Sequence, residues 1–349
     1  MTFLQPAVVP VVISRLSEIW PSIEAKAKSQ GALRIGASSL QDAHAFLFEQ
    51  WLDRGHYGEM DYLQKNRDAR LRPEERFPWA RSVIVVAVPY SSERSASPGS
   101  LAAHTARYAL GDDYHAVLDI LLKDLEEGIR ELAPTAQTRR YVDTGPLSDR
   151  AFAAQAGLGW IGKNGMLIDP HHGSWVFIAT LLTSLHNDIV AEEIADRCGT
   201  CTRCLESCPT HAILPDRTVA SEACISYATI EHRGPIDDGM KPMLSGNVFG
   251  CDICNEVCPW NHAPASTAEP FTQREEYRAM PVSDLLRVSQ ADFSRLFRNS
   301  AIKRAKRAGL IRNAILIADQ IPPEIEQQLC AEEDEGIRDA LAWRRRLSG

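Results

Sequence analysis

The cysteines constrain this chain more strongly than any other feature of its sequence. Eight of the nine lie between Cys198 and Cys258, in two runs that each end in Cys-Pro. The first run has the spacing C-x₂-C-x₂-C-x₃-C-P, whereas the second lacks one cysteine, and Cys224 is the obvious replacement. This spacing is typical of segments that bind two [4Fe–4S] clusters. We therefore predict that the loop-rich segment 190–262 obtains much of its folding free energy from bound metal.

Each cubane cluster needs four thiolates, and the cysteine that precedes the proline cannot fold back onto the cluster of its own run. It is expected to bind the cluster of the other run instead. The first ligand set is then Cys198, Cys201, Cys204 and Cys258, and the second is Cys208, Cys224, Cys251 and Cys254. Because eight ligands serve two clusters with none left over, the sequence predicts an electron-transfer protein.

Zinc and disulfides are the alternative uses of these cysteines. Zinc sites usually pair two C-x₂-C units across a longer finger and require neither the third close cysteine nor the proline. Disulfides suit small secreted chains, and no export signal precedes the first strand pattern here. Clusters are therefore favoured over both, and a cytoplasmic location is expected. Cys330 stands alone and is predicted to be a buried helical thiol.

The hydropathy and the net charge of the chain limit its possible functions. No apolar stretch approaches the roughly 20 residues that a membrane-spanning helix needs. The formal net charge of −8 argues against indiscriminate binding to nucleic acid, because phosphate repels an acidic surface. A local basic patch could still bind RNA. No coiled-coil heptads occur, which favours a monomer.

Three regions differ in their hydrophobic pattern. Residues 1–185 mix strand and helix patterns, including a β-branched run at 82–90 and an amphipathic stretch at Tyr114–Leu132, and predict an α/β domain. Residues 186–265 carry the cysteines. Residues 266–349 are wholly helical, in short paired segments that suggest a HEAT-like repeat.

Within the first region the pattern predicts helices over 23–33 and 40–54, with Ser38-Ser39 as the N-cap of the second. Residues 140–144 predict a strand that brings Asp143 to a turn, and strand ends in α/β folds often bind ligands. An N-cap or Asx-turn role is the commoner use of such an aspartate. As a functional group, Asp143 would be a general acid kept partly protonated by an apolar pocket.

Two further segments resemble cofactor motifs only in part. Segment 157–165 contains clustered glycines and Lys163 without the Walker spacing, so it is a tight connection or a close approach to a planar ligand. The segment 169–173 holds His171 and His172 but places its glycine one residue too early for the D-x-H-x-x-G signature of a cobalamin lower ligand. These histidines are predicted to lie in a turn.

A basic segment runs from Ser294 to Asn313 and contains no acid. A charge run is usually a solvated helix face, but unopposed cations in an acidic chain equally favour contact with a phosphate backbone. The cations are Arg295, Arg298, Lys303, Arg304, Lys306, Arg307 and Arg312.

Taken together, these motifs resemble the epoxyqueuosine reductases. The resemblance extends from about residue 20 to 345, and the order of its motifs makes it specific. It is carried by both cysteine runs and by the segments 141–146, 156–164, 173–175, 224–233 and 301–307.

The resemblance implies a nitroreductase-like α/β cobalamin domain, a ferredoxin-like double-cluster domain and C-terminal HEAT-like repeats. It also implies reduction of epoxyqueuosine to queuosine at the wobble position of tRNA, with electrons passing from an external donor through two [4Fe–4S] clusters to cobalamin. The alternatives are a cytoplasmic enzyme resembling the reductive dehalogenases and a ferredoxin-type electron carrier.

Site residues follow from the resemblance as expectations. Asp143 would donate a proton to the departing oxygen. The expected corrin contacts are Ser226, Cys251, Asp252, Lys163 and Asn164. The expected tRNA contacts are Arg233, Lys303, Arg304, Lys306 and Arg307.

Overall fold

The computed structural model describes residues 13–42, 44–90, 94–261 and 271–348. The expected domain boundary between residues 265 and 266 lies outside the described residues, as does most of the sequence before the first helix. None of the described helices is long and apolar enough to span a membrane.

A four-stranded antiparallel sheet forms the centre of the N-terminal region, in the order β1-β2-β6-β3. Its strands are β1 (Arg34–Ser39), β2 (Ser82–Pro89), β3 (Thr138–Tyr141) and β6 (Val176–Thr183), and β4 (Trp160–Ile161) pairs separately with β5 (Leu167–Ile168). Every residue of β2 is buried, as its β-branched run predicts. Because alternate residues face opposite sides of a strand, β2 contributes to one hydrophobic cluster through Ile84 and Val86 and to another through Val83 and Val85.

The helices described in this region are α1 (Trp20–Ser29), α2 (Ala45–Asp53), α3 (Asp61–Lys65), α4 (Arg67–Leu71), α5 (Pro73–Arg76), α6 (Tyr114–Leu132) and α7 (Asp149–Gln155). Helices α1 and α6 pack on one face of the sheet, and α7 packs on the other. Helix α6 has the predicted bounds, and its leucine stripe, Leu118 to Leu125, is buried against one face. Asp113 is its N-cap and accepts a hydrogen bond from the backbone N–H of His115. Short 3₁₀ helices occupy Leu16–Glu18, Leu101–His104 and Arg107–Ala109.

The cysteine region consists of short helices between loops. These are α8 (Arg203–Ser207), α9 (Ile225–Ile230) and α10 (Ile253–Glu256), with 3₁₀ turns at Ser221–Ala223, Lys241–Leu244 and Pro259–Asn261. Helices this short do not form stably in isolation. Tertiary packing, and metal where it is bound, must therefore hold them in place.

The C-terminal region is helical, as predicted. It contains α11 (Glu275–Ala279), α12 (Gln290–Leu296), α13 (Lys306–Ile317), α14 (Pro323–Leu329) and α15 (Glu335–Ser348), with 3₁₀ helices at Val282–Arg287 and Ala301–Ala305. Its apolar side chains share one hydrophobic cluster with Ile225, Val248 and Phe249 of the cysteine region. The two regions are thus packed against each other through a common core.

Four expectations from local pattern are wrong. The predicted helix 23–33 ends at Ser29, and Gln30 and Gly31 form a turn before β1. Ser38-Ser39 finish β1 rather than capping a helix, because β2 offers this segment a full antiparallel ladder. The sheet is antiparallel, so the rule that ligands lie at strand ends of parallel sheets gives no argument for Asp143. Cys330 is exposed rather than buried, since it follows the last residue of α14.

Candidate active site

The thiols predicted as the first ligand set line one pocket. Cys198 and Cys201 lie in the loop before α8, and Cys204 lies within it. Cys258 directly precedes the 3₁₀ turn at Pro259–Asn261. All four thiols border this pocket. Burial raises the pKa of both Cys204 and Cys258, and neighbouring thiols of the same group raise it further.

The thiols predicted as the second set form another group. Burial, together with the nearby thiols of Cys224 and Cys208, raises the pKa of Cys251 to about 12. Burial likewise raises the pKa of Cys254, with Cys251 and Cys224 as the nearest charged neighbours. Cys254 also interacts with Cys204. The two groups are therefore adjacent, which suits stepwise transfer of single electrons.

The chemistry of these thiols fits a cationic inorganic core. A buried thiol loses its proton only if a positive charge replaces it, and bound iron supplies that charge. All nine cysteines are free thiols, so the disulfide alternative is not realised. Within the described ranges no three His, Cys, Asp or Glu side chains are arranged to hold a single metal ion.

Asp143 occupies an exposed turn immediately after β3. Its backbone has φ of 56°, in the left-handed region that aspartate tolerates better than most residues. Oδ2 of Asp143 accepts a hydrogen bond of 2.7 Å from the hydroxyl of Tyr114. The Asp143 side chain is 66% exposed, so the predicted apolar pocket does not enclose it. The ring of Tyr114 is stacked on Phe177, with 4.5 Å between ring centroids, which fixes the position of the donor.

Other ionisable groups surround the Asp143 turn. Burial, together with the negative charge of Asp143, raises the pKa of Asp149 to about 7. The hydroxyl of Thr180 donates a hydrogen bond of 3.0 Å to Asp149. Burial lowers the pKa of Arg70, whose Nε is buried without a hydrogen-bond partner among the described residues. An unpartnered donor beside Asp143 is a position where a polar group of a ligand could bind.

Tyr108 connects the Asp143 turn to the second thiol group. Burial raises the pKa of Tyr108, and the charges of Asp143 and Asp252 each raise it further. Asp252 lies between Cys251 and Cys254 in sequence. The ring of Tyr108 also lies 6.1 Å from that of Tyr114, the donor to Asp143, and the preceding Arg107 donates to Asp252, so the predicted acid and the loop of the second group both lie near one half-buried tyrosine.

Asp252 is held by two arginines that the sequence did not single out. Its side chain is only 5% exposed, and Oδ2 accepts hydrogen bonds from Nη2 of Arg94 at 3.1 Å and from the backbone N–H of Arg107 at 2.8 Å. Arg107 also pairs with Glu256 at 2.7 Å. These contacts join residues that are far apart in the sequence, so no local signal could have identified Arg94 or Arg107.

The remaining predicted corrin contacts are in different surroundings. Asn164 is buried and donates a hydrogen bond of 3.2 Å to Oδ1 of Asn255 in α10. The Lys163 ammonium instead donates to the carbonyls of Gly199 and Cys201, at 2.7 and 2.9 Å, and lines the first thiol pocket. The Ser226 side chain is half-buried and makes no hydrogen bond to another described side chain. Lys163 thus holds the first cysteine loop, whereas Ser226 keeps a free hydroxyl.

The glycine-rich segment 157–165 is a structural connection. It forms the β4–β5 hairpin, and a Cβ on Gly159 would lie 2.3 Å from the carbonyl oxygen of Ile168. That glycine is required by the hairpin itself rather than by a planar ligand. Asp169 accepts backbone hydrogen bonds from His171 and His172, which confirms that these histidines lie in a turn.

The basic C-terminal segment is not a row of unopposed cations. Arg304 makes a bidentate ion pair with Glu231, at 2.8 and 2.7 Å, and Arg307 makes one with Glu332. Arg312 is 2% exposed and donates hydrogen bonds to backbone carbonyls inside the protein. The fold supplies acids that the local sequence lacks, so this part of the prediction is wrong.

Three other cations of the segment have no acidic partner among the described residues. Arg298, Lys303 and Lys306 are exposed and form no ion pair with any described residue. Arg233 lies beside them, and its guanidinium donates to the carbonyls of Ile230 at 2.9 Å and Arg304 at 2.8 Å. The cations available to a phosphate are therefore fewer than the sequence suggests.

Comparison with known proteins identifies the family. Residues 197–261 match the model of a 4Fe-4S double cluster binding domain, and residues 70–144 match that of epoxyqueuosine reductase QueG. The epoxyqueuosine reductase of Gloeobacter violaceus is 38% identical over 302 residues, which cover 84% of this chain and 93% of that protein.

Comparison with solved structures points to the same family. The fold is similar to a crystal structure of selenomethionine-labelled epoxyqueuosine reductase, with a TM-score of 0.86 and 27% identity over 94% of this chain and 90% of that one. It is also similar to an epoxyqueuosine reductase crystallised with an epoxyqueuosine-modified stem loop of tRNA-Tyr, with a TM-score of 0.81 and 25% identity over 95% and 100% of the two chains. The chain therefore belongs to the epoxyqueuosine reductase family.

Proposed function

We propose that this protein reduces epoxyqueuosine to queuosine at the wobble position of tRNA. Conversion of an epoxide to an alkene and water consumes two electrons and two protons. The protein must therefore deliver both to one carbon–oxygen centre. The observation that carries the proposal is a chain of contacts: Asp143 accepts from Tyr114, the ring of Tyr114 lies 6.1 Å from that of Tyr108, and the neighbouring Arg107 N–H donates to Asp252 of the second cysteine loop. This arrangement supports a proton donor and an electron-transfer group that serve the same site.

Two [4Fe–4S] clusters are the electron-transfer groups that the thiols would hold. Cys198, Cys201, Cys204 and Cys258 would bind the first, and Cys208, Cys224, Cys251 and Cys254 the second. The outward pocket of the first group favours entry of electrons there from an external donor. The electrostatic interaction between Cys204 and Cys254 supports passage from the first group to the second.

Cobalamin is the proposed two-electron group, because each cluster transfers electrons singly. When bound, it would supply a reduced cobalt centre that reacts with the epoxide. Its amide carbonyls and phosphate are acceptors, and Nε of Arg70, a buried donor without a partner among the described residues, suits them. The half-buried Ser226 would be a further contact. Cys251, Asp252 and Asn164 would complete the contacts near the second cluster. The engagement of Lys163 with the first loop makes it the weakest member of this set.

Asp143 would protonate the departing oxygen. Its exposure in the absence of RNA leaves it accessible to a bulky substrate, and Tyr114 holds one carboxylate oxygen through the 2.7 Å hydrogen bond. The hydrogen bond from Tyr114 thereby fixes the orientation of the carboxyl group, which a general acid requires.

The tRNA would contact the C-terminal helical region. A relative has been crystallised with a modified tRNA stem loop. In this chain Lys303 and Lys306 provide free cations for phosphates, while Arg304 and Arg307 could contribute only by sharing their charge with Glu231 and Glu332. Arg233 is joined to this patch through its contact with the carbonyl of Arg304.

Finer features of the organisation belong to the same proposal. We infer a nitroreductase-like domain over residues 1–185, a ferredoxin-like domain over 186–265 and HEAT-like repeats over 266–349. We also infer that the protein acts as a monomer in the cytoplasm, where its tRNA substrate is located.

The deciding experiment supplies anaerobically reconstituted protein with tRNA from cells that accumulate epoxyqueuosine. A chemical reductant replaces the unknown donor, and digested nucleosides are separated before and after reaction. Conversion to queuosine, absent with Asp143→Asn, is the expected result. A protein that dehalogenates small aromatic halides but leaves the tRNA unchanged would be a dehalogenase-like enzyme. One that only exchanges electrons would be a carrier.

A further inference from the structure

We propose that Asp113 and His115 form a proton relay that recharges Asp143 during turnover. The inference rests on the proposed function, because it assigns Asp143 the role of proton donor. His115 does not touch the substrate in this scheme. It is a positioning residue that acts through Asp143, and Asp113 acts through His115.

The three side chains follow one another in the order Asp113, His115, Asp143. Oδ1 of Asp113 lies 2.7 Å from Nδ1 of His115. The opposite ring nitrogen, Nε2, lies 3.8 Å from Oδ2 of Asp143. A carboxylate at Nδ1 fixes the tautomer that leaves Nε2 free to exchange a proton. A small movement of the exposed Asp143 side chain is enough to close the remaining gap to a hydrogen bond.

The surrounding structure orients the His115 ring. Its centroid lies 4.0 Å from that of Tyr114, with 29° between the planes, so the ring cannot turn freely. Tyr114 in turn donates to the same Asp143 oxygen that faces Nε2. The backbone N–H of Asp113 donates to the carbonyl of Asn299 at 2.9 Å, which anchors the first turn of α6 to the C-terminal region.

Two carboxyl groups and one hydroxyl face the His115 ring. They are Asp113 at the N-cap of α6, Asp143 from the turn after β3 and the hydroxyl of Tyr114. Arg274 also interacts with Asp113. The hydrogen bond from His115 lowers the pKa of Asp113, so that carboxyl stays ionised and cannot replace His115 as the donor.

The reaction consumes two protons, which the relay would supply to Asp143 one at a time. Both carbon–oxygen bonds of the epoxide break, a carbon–carbon double bond forms, and the oxygen leaves as water after gaining two protons. An external one-electron carrier supplies the two electrons. Asp143 holds one proton at a time, so the second arrives only after the carboxylate has been protonated again. The imidazolium of His115 gives its Nε2 proton to Oδ2 of Asp143, and the 37% exposed ring regains a proton from solvent.

A purely structural role for this pair is the competing explanation. Asp113 caps α6, and His115 could merely strengthen that cap. A cap contributes to stability but has no reason to respond to added proton carriers. The two roles therefore predict different outcomes for the same variants.

The test compares His115→Gln, His115→Ala and Asp113→Asn in the holoenzyme. Once wild-type protein produces queuosine, His115→Gln should lower kcat on the order of 100-fold, the usual contribution of a positioned proton-transfer group. Free imidazole should restore turnover to His115→Ala but not to Asp143→Ala. The control is His172→Gln, which removes a histidine 35% exposed and 3.1 Å from Asp169, away from Asp143, and should leave kcat unchanged.

A second measurement does not depend on turnover. In holoenzyme labelled with [¹³C]histidine, the His115 resonance, assigned by its loss in His115→Gln, should titrate at lower pH in both Asp113→Asn and Asp143→Asn. An unshifted midpoint in Asp143→Asn, or imidazole that fails to rescue His115→Ala, would overturn the relay. Wild-type protein that makes no queuosine would instead refute the proposed function, while the titration still reports on the His115–Asp143 contact.

Discussion

The hydroxyl of Tyr114 lies 2.7 Å from Oδ2 of Asp143 and donates a hydrogen bond to it. This bond connects the first turn of α6 with the turn after β3, two segments that are not adjacent in sequence. It gives the exposed aspartate a defined position before any substrate arrives. The catalytic consequences can be tested at each of the two residues.

Replacing Asp143 by alanine should abolish efficient turnover without affecting cofactor content. Loss of a general acid typically costs about 100- to 10,000-fold in rate. Because Asp143 contacts no cysteine, iron content and the visible spectrum should match wild type. Asp68→Ala is the control, since Asp68 is 80% exposed and pairs with Arg72, the residue that follows its short helix. Wild-type kcat in Asp143→Ala would remove the residue from the mechanism.

Replacing Tyr114 by phenylalanine removes one hydrogen bond but keeps the stacked ring. The fold should lose only about 1 kcal/mol of unfolding free energy, the usual net value of such a bond. Turnover should fall more than binding, so kcat decreases while the KM for tRNA is preserved. Steady-state kinetics with a defined stem loop measures both. A change confined to KM would mean that Tyr114 contacts the RNA rather than orienting Asp143.

The cysteine pattern allowed far more to be predicted than the charge pattern did. Ligand spacing is dictated by the cluster, so the two thiol groups could be assigned from sequence before the loops were known. The pairing of Arg304 with Glu231 joins residues 73 positions apart, so no local sequence pattern predicts it. The burial of Arg312 has the same origin, because it depends on carbonyls supplied by another region.

Elements of the N-terminal region show the same contrast between local and tertiary signals. The bounds of Tyr114–Leu132 follow from an apolar stripe with helical period, and those of β2 from a run of β-branched residues. Strand β1 has neither signal, since its sequence is Arg-Ile-Gly-Ala-Ser-Ser. Its strand conformation depends on pairing with β2, which is a tertiary effect.

Removing one thiolate of the second group should cost one cluster and leave the other. Cys254→Ser is expected to lower iron from about eight to about four atoms per chain, because serine is a poor ligand for a [4Fe–4S] core. Anaerobic iron and sulfide analysis gives the count. Cys330→Ser is the matched control, as that thiol is exposed and far from both groups in sequence. Full iron content in Cys254→Ser would contradict the assigned set.

Neutralising the two free lysines of the basic patch should weaken tRNA binding in a salt-dependent way. Each phosphate contact contributes about 0.7 to the slope of log affinity against log salt for single strands, so Lys303→Gln with Lys306→Gln should flatten it by roughly 1.4. Filter binding over a salt series measures the slope. Lys28 and Lys123, exposed lysines on α1 and α6, form the control pair. An unchanged slope would make the patch a solvated helix face.

Arg312 should prove structural although it belongs to the basic segment. Its guanidinium donates to the carbonyls of Ala228 at 2.6 Å, Gly234 at 2.7 Å and His232 at 3.1 Å, and the residue is 2% exposed. Arg312→Met leaves these buried acceptors unpaired, so unfolding free energy should fall by about 3 kcal/mol. Anaerobic urea unfolding measures the change, with the exposed Arg338→Met expected to stay within about 0.5 kcal/mol of wild type. Wild-type stability combined with a reduced salt slope for tRNA binding would instead assign Arg312 to the RNA surface, which its burial argues against.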